Sequence, residues 1–187
     1  LKESPIEASD KLTFKEYAYK ESTLLSNKYT VTGLNANRGE EISFTQTLDT
    51  QSIEKGIDYH KVMELIDFNM RDIESIQAFV ESLESAGEIG KGVVEPEIIK
   101  KSLNHPLFDK VRKGTSRREQ EFIYYAPACE VLDGVQTDDY TLVQGIMDLL
   151  VEGEENILID YKVSGAPIDT LRARYARQIE LYSKAYE

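Results

Sequence analysis

A chain of 187 residues, 41% hydrophobic and 30% charged, can bury a substantial core, and it has no apolar run of the roughly 20 residues that cross a bilayer. A net charge of −12 argues against a broad basic nucleic-acid surface, though not against a site where bound cations offset local repulsion. The single cysteine, Cys129, excludes intrachain disulfides, fits a reducing compartment and cannot hold an iron–sulfur cluster by itself.

Residues 1–50 are weakly patterned, with Gly33 and Gly39 as breakers, and are read as a segment packed on a core domain spanning 51–187. From Ser52 to about Phe68, Ile53, Ile57, Leu65 and Ile66 recur at helical spacing, with His60 and Glu64 one turn apart. Asn69 is placed to cap a second helix running to about Glu84 and closed by Ala86-Gly87. Glu95–Leu103 and His105–Lys113 read as shorter helices, the latter with Pro106 in its first turn and His105 as a surface residue. The period then changes. Ser116–Ala126, Thr141–Val151 and Asn156–Lys162 read as strands, Val163–Pro167 as a loop, and Asp169 or Thr170 as the start of a last helix. Helices, a three-stranded meander and a helix make an α+β architecture. The chain starts at Leu1 without Met and ends at Glu187 inside an uncapped helical pattern, so a piece of a longer protein is expected.

Several chemistries find no support. Gly90-Lys91-Gly92 does not approach a Walker A loop, so no ATP site of that kind is expected in this fragment. Zinc-type Cys/His spacing and a Gly-x-Ser-x-Gly elbow are both absent from the sequence.

The second and third strands carry the most informative residues. Thr141–Val151 and Ile157–Lys162 flank the short polar turn Glu152–Asn156, a hairpin pattern. If Val151 pairs with Ile157, stepping outwards puts Asp148 opposite Asp160, with Cβ atoms about 5 Å apart, and Lys162 on the same face. Leu142, Ile146 and Leu150 alternate onto the face of Asp148, and Leu158 onto that of Asp160, so these acids stand on an apolar face where unpaired charge is costly. Opposed carboxylates need a cation between them, and a Mg²⁺-type ion takes oxygen ligands while keeping places for water and a phosphate. With Lys162 beside them, the pattern points to phosphodiester hydrolysis; the bland alternative is a solvated cross-strand ion pair. Two basic clusters, Lys110/Arg112/Lys113/Arg117/Arg118 and Arg172/Arg174/Arg177/Lys184, are either solvated faces or contacts to a phosphate backbone.

Five segments in order resemble the RecB-type branch of the PD-(D/E)xK nucleases, and within it the C-terminal nuclease domains of AddA-type helicase–nucleases. They are Gly56-Ile-Asp-Tyr-His60-Lys-Val-Met-Glu64, Arg118-Glu119-Gln-Glu-Phe122, Val143-Gln-Gly-Ile-Met-Asp148, Ile159-Asp-Tyr-Lys162 and Tyr175-Ala-Arg-Gln178-Ile-Glu-Leu-Tyr182. Val163 departs from the Thr common after the lysine, at a position that is not a ligand. The resemblance implies a restriction-endonuclease-like fold with a central mixed sheet flanked by helices. It implies His60, Asp148, Asp160 and the backbone carbonyl of Tyr161 as ligands of Mg²⁺, or of Mn²⁺ as substitute. Lys162 would act on the attacking water and the scissile phosphate, Glu119 would serve a second metal or a bridging water, and Gln178 and Tyr182 would close the site. It further implies single-stranded DNA as substrate, exonuclease action in double-strand break repair, helicase domains elsewhere in the chain, an AddB-like partner and a bacterial cytoplasmic setting, with neither an iron–sulfur cluster nor a membrane.

Each residue also has a plainer reading. His60 on an apolar helix face can be a core histidine, Glu64 its support or an exposed acid, and Tyr175 and Tyr182 helix-to-sheet packing. Glu121 alternates onto the face of Glu119, and the sequence prefers neither. The functional rivals are a nuclease-like DNA-guiding module without activity and a stand-alone RecB-type exonuclease of phage or mobile-element origin. Asp160→Ala is expected to abolish cleavage while leaving folding intact or improved, since it removes one of two like charges.

Overall fold

One long strand organises the sheet. In the computed structural model, which describes residues 25, 26, 28–36 and 50–187, β1 is Lys28–Thr30, β2 Thr115–Pro127, β3 Tyr140–Glu152 and β4 Ile157–Ile159. β2 and β3 pair antiparallel from Thr115↔Glu152 to Pro127↔Tyr140. The other edge of β3 is shared: β1 lies parallel against Leu142–Gln144, and β4 antiparallel against Leu149–Val151. Helices α1 (Val31–Ala36), α2 (Thr50–Leu65), α3 (Ile73–Ala86), α4 (Pro96–Leu103), α5 (Pro106–Val111), α6 (Ala128–Val131) and α7 (Ile168–Tyr186) flank it. The fold is α+β with a mixed open sheet, as the period change implies.

The hairpin register is the expected one, Val151 opposite Ile157 and Leu149 opposite Ile159. β4, however, stops three residues short of Lys162. The cause is local: Asp148 Oδ2 accepts the Tyr161 N–H at 2.6 Å, and His60 Nε2 meets the Tyr161 carbonyl at 2.8 Å. Side chains from β3 and α2 thus take over the backbone groups that a ladder would have used.

Two apolar clusters hold the layers. One joins α2 to α5 with Leu149 and Val151; the other joins α1 and α7 to Val143, Met147 and Ala126. Fully buried Val62, Ile66, Ile76, Ile99 and Leu103 anchor the first, each worth about 1.5–3 kcal/mol of removed apolar surface. The stripe that α2 buries is Tyr59, Val62 and Met63, continued by Ile66, whereas Ile53, Ile57 and Leu65 are exposed. Both sets have helical spacing, and only packing against α3–α5 selects between them.

Helix α3 begins at Ile73 rather than after Asn69, because Asp72 Oδ1 accepts the Ser75 N–H at 2.7 Å; Asn69 instead bonds Asp67 in the preceding turn. Gly87, at φ 75°, closes α3 as expected. His105 caps α5, its Nδ1 accepting the Leu107 N–H. Gly33 lies inside α1 instead of breaking structure: its N–H meets Thr30 Oγ1, and an added Cβ would stand 2.9 Å from that oxygen. Gly39 lies outside the described residues.

Candidate active site

β1 ends opposite Gln144 and β4 pairs only as far as Leu149, so Gly145–Asp148 have no ladder partner on that edge of β3. An open cleft of about 860 Å³ lies there, bounded by Thr30 and Val31 at the end of β1, by His60 of α2, by Gln178 and Tyr182 of α7, and by Asp148, Asp160 and Lys162. Gly145 is required at its floor: an added Cβ would stand 2.8 and 2.9 Å from ring carbons of Phe122. Phe122 in turn packs edge-on against Tyr182.

Asp148, only 9% exposed, stands at the seam of the two cores, since Met147 belongs to one and Leu149 to the other. Its Oδ2 lies 3.6 Å from His60 Nδ1. Tyr161 contributes its backbone to the site while its ring packs against the α2–α5 core, edge-on to His60, and burial pushes its phenol pKa up. One nitrogen of His60 and one carboxylate oxygen each from Glu119 and Asp148 lie within 4.8 Å of one another.

Glu119 reaches that cluster by an unusual backbone. Register places it opposite Asp148, between Arg118↔Leu149 and Gln120↔Met147, yet it makes no bridge of its own and has φ 48°. A left-handed L-residue costs roughly 1–2 kcal/mol, and here it falls beside a carboxylate cluster. Arg118 anchors the turn, donating to the Met63 and Glu64 carbonyls at the end of the helix that carries His60, with its guanidinium 3.8 Å from the Phe68 ring centroid. Burial, and then the Asp148 charge, raise the Glu119 pKa. Between the two acids the sequence left open, Glu119 joins His60 and Asp148, while Glu121 lines the cleft farther along.

Asp160 follows the end of β4 at Ile159 and lines the same cleft as Asp148, near enough to feel its charge. Its oxygens are already engaged: Lys162 Nζ lies 2.5 Å from Oδ2, and Gln178 Nε2 donates to Oδ1 at 2.7 Å. Burial raises the Asp160 pKa, against the opposing pull of Lys162. Gln178 also donates to Tyr182 Oη at 2.7 Å, and burial pushes that phenol up to about 12. Lys162 Nζ sits 4.9 Å from the Tyr175 ring centroid, so Tyr175 engages the lysine, while Tyr182 is helix-to-sheet packing with a polar tip.

The donor set suits a hard divalent cation. Ligands on opposite sides of one Mg²⁺ stand about 4.2 Å apart, close to the spread of the His60–Glu119–Asp148 group. Glu119 and Asp148 in that group, with Asp160 paired to Lys162 in the same cleft, concentrate negative charge where a divalent cation would be held.

The chain is 33% identical to the AddA component of the ATP-dependent helicase/nuclease of Thermoanaerobacter sp., in an alignment covering 72% of the chain and 12% of that protein. It is 30% identical to the Acetivibrio thermocellus protein of the same name over 72% of the chain and 11% of that protein, and 27% identical to that of Listeria monocytogenes serotype 4a over 77% and 13%. The chain is a relative of AddA. It spans about an eighth of the length of these relatives, and no family model matches it. The kinship bears out the AddA resemblance carried by the five segments.

The name of the AddA relatives mentions a nuclease, and most of the basic residues in the two clusters have partners within the chain. Arg112 donates to the Phe68 and Leu103 carbonyls, Arg118 to those ending α2, Lys110 pairs with Glu155, and Arg117 with Glu152. On α7, Arg177 pairs with Glu180, Lys184 with Glu130 and Glu180, and Arg172 lies 3.7 Å from Asp169. Fork-shaped guanidinium groups serve here to satisfy helix ends and neighbouring carboxylates.

Proposed function

We propose that this chain is a Mg²⁺-dependent deoxyribonuclease domain of the RecB-type PD-(D/E)xK class, acting as the exonuclease of a helicase–nuclease in double-strand break repair and recombination. The observation that carries the reading is the convergence of His60, Glu119 and Asp148 within 4.8 Å, beside the Asp160–Lys162 pair that lines the same cleft as Asp148. His60, Asp148, Asp160 and the Tyr161 carbonyl would hold the ion, and Glu119 a second ion or a bridging water. A bound Mg²⁺, or Mn²⁺ in its place, would supply Lewis-acid activation of the phosphate and of water.

The protein's own groups supply the rest. Lys162 Nζ, held between Asp160 Oδ2 and the Tyr175 ring, is a fixed positive charge for the attacking water and the scissile phosphate. Gln178 fixes the Asp160 carboxylate from behind and is itself fixed by Tyr182. DNA fed as a single strand, helicase domains of the same chain, an AddB-like partner and a bacterial cytoplasmic setting complete the reading.

Asp160→Asn and Lys162→Ala are the test. Asparagine keeps an oxygen for Gln178, so the fold should survive while Mg²⁺-dependent cleavage of single-stranded DNA is lost. Wild-type rates in both variants would refute the assignment. Asp160→Ala is the poorer variant: the sequence suggested that it would leave the fold intact or stabilise it, but it strips a partner from buried Gln178, a cost of about 1–3 kcal/mol.

A further inference from the structure

A second groove, of about 910 Å³, opens on the far side of Asp160 and Lys162 and shares those two residues with the catalytic cleft. Its walls are α2, the α4–α5 pair and the loop from Val163 to Gly165. In a chain of net charge −12, this groove is lined by three lysines, Lys55, Lys101 and Lys162, and one carboxylate, Asp160. Lys55 pairs with Glu95 at 3.2 Å, and Lys162 with Asp160. Apolar Ile98 and Val163, 43% and 41% exposed, offer their side chains to whatever lies in it. On the other side of Lys162 the balance reverses, with Asp148 and Glu121 lining the cleft and Glu119 beside it.

We propose that this groove is a binding subsite for single-stranded nucleic acid, holding the nucleotides on one side of the phosphate that Lys162 contacts. A flexible polyanion running past Lys162 has two ways to continue: into the carboxylate-lined cleft, or into the lysine-lined groove continuous with it. Lys55 and Lys101 receive its phosphates, and Ile98 and Val163 take base faces, the combination of charge and apolar contact that binds single strands without reading sequence. The inference rests on the proposed function only in taking Lys162 as the point the strand passes.

Binding of a fluorescein-labelled oligo(dT) by anisotropy, in EDTA and at about 50 mM salt and above, tests it. Removing two phosphate contacts from a single strand should lower the slope of log affinity against log salt by about 1.4, at about 0.7 per phosphate. The Lys55→Gln/Lys101→Gln double variant is expected to show that loss with unchanged melting, while Lys91→Gln, at an exposed lysine outside the groove, keeps the wild-type slope. Equal affinity and slope in the double variant, or no binding by the unaltered chain, overturns the groove. Loss of binding in the double variant with no Mg²⁺-dependent cleavage by the unaltered chain keeps the groove and refutes the nuclease reading. Cleavage together with unaltered binding in the double variant does the reverse.

Discussion

Replacing Arg118 with leucine removes every polar contact of the side chain that ties β2 to the His60 helix. Its Nη1 donates to the Glu64 carbonyl at 2.6 Å and the Met63 carbonyl at 3.3 Å, and the guanidinium lies 3.8 Å from the Phe68 ring centroid. The shorter bond is charge-assisted and worth about 1.5–3 kcal/mol, the longer one less, and the ring contact adds about 0.5–1 kcal/mol. Two terms offset this. The guanidinium is desolvated, which lowers its pKa, and leucine can still pack on Phe68. Before any relaxation at Glu119 the net loss is about 2–3 kcal/mol; the roughly 1–2 kcal/mol of strain which that relaxation returns leaves about 0–2 kcal/mol, or a melting temperature lower by at most roughly 8 °C for a chain of this size. The second consequence is specific to the site. With Arg118 released, Glu119 can relax from φ 48° to extended backbone, regaining the roughly 1–2 kcal/mol of strain and leaving the His60–Asp148 group. Calorimetric titration of Mn²⁺ into the folded variant, below its transition, should then show weaker binding than wild type. Arg118→Lys, which keeps the charge without the fork, should fall between. Wild-type melting and wild-type Mn²⁺ affinity in Arg118→Leu would refute both halves of the reasoning.

Tyr175→Phe should keep the turnover of single-stranded DNA, because the ring face under Lys162 remains; Tyr175→Leu should lower kcat by about two- to fivefold with little change in KM, the worth of about 0.5–1 kcal/mol of cation–π contact. Equal kcat in the two variants would remove Tyr175 from the account. The Asp72 carboxyl is held below its ordinary value of 3.8 by the Ser75 N–H it accepts, so its contribution to stability is full above that value and fades as pH falls through the folded-state pKa. The melting difference between wild type and Asp72→Ala should therefore be constant near neutrality and shrink in strong acid; a difference that grows on acidification would contradict the cap.

What the sequence disclosed follows from the range of the interactions involved. Short-range pattern was sufficient for the hairpin register, since alternation and a polar turn put Val151 opposite Ile157; it did not foresee that β4 ends at Ile159, so that Asp160 and Lys162 lie beyond the strand. Helical spacing also put Gln178 and Tyr182, four residues apart, on one face of α7, where a hydrogen bond joins them, but their place at the site came from the family resemblance. β1 escaped because three residues carry no period and its parallel partner lies more than a hundred positions away. The left-handed turn at Glu119 left no mark either, since neither Gly nor Asn stands there; it depends on Arg118 finding carbonyls more than fifty residues upstream. For the basic clusters the sequence left solvated faces and phosphate contacts both open, and only distant partners show that Arg112 and Arg118 bond carbonyls at the ends of helices.

The site sits where two cores meet, and that placement makes a further measurement decisive. Packing on α2–α5 fixes Leu149 and packing with α1 and α7 fixes Met147, so Asp148 between them cannot move away from Glu119 and His60 without disturbing one core or the other. The repulsion of these carboxylates is therefore carried by the fold, and a divalent ion that relieves it should stabilise the folded chain alone. At a hundredfold excess over its dissociation constant, such an ion adds about 2.7 kcal/mol, or roughly 5–11 °C of melting temperature. Glu119→Gln/Asp148→Asn, which keeps an oxygen for the Tyr161 N–H, should melt higher than wild type in EDTA and lose the response to Mn²⁺. A wild-type chain that melts identically with EDTA and with millimolar Mn²⁺ would show that these carboxylates hold no ion. The double variant separates that outcome from a general effect of ionic strength, because only the wild type carries the charges that the ion is needed to balance.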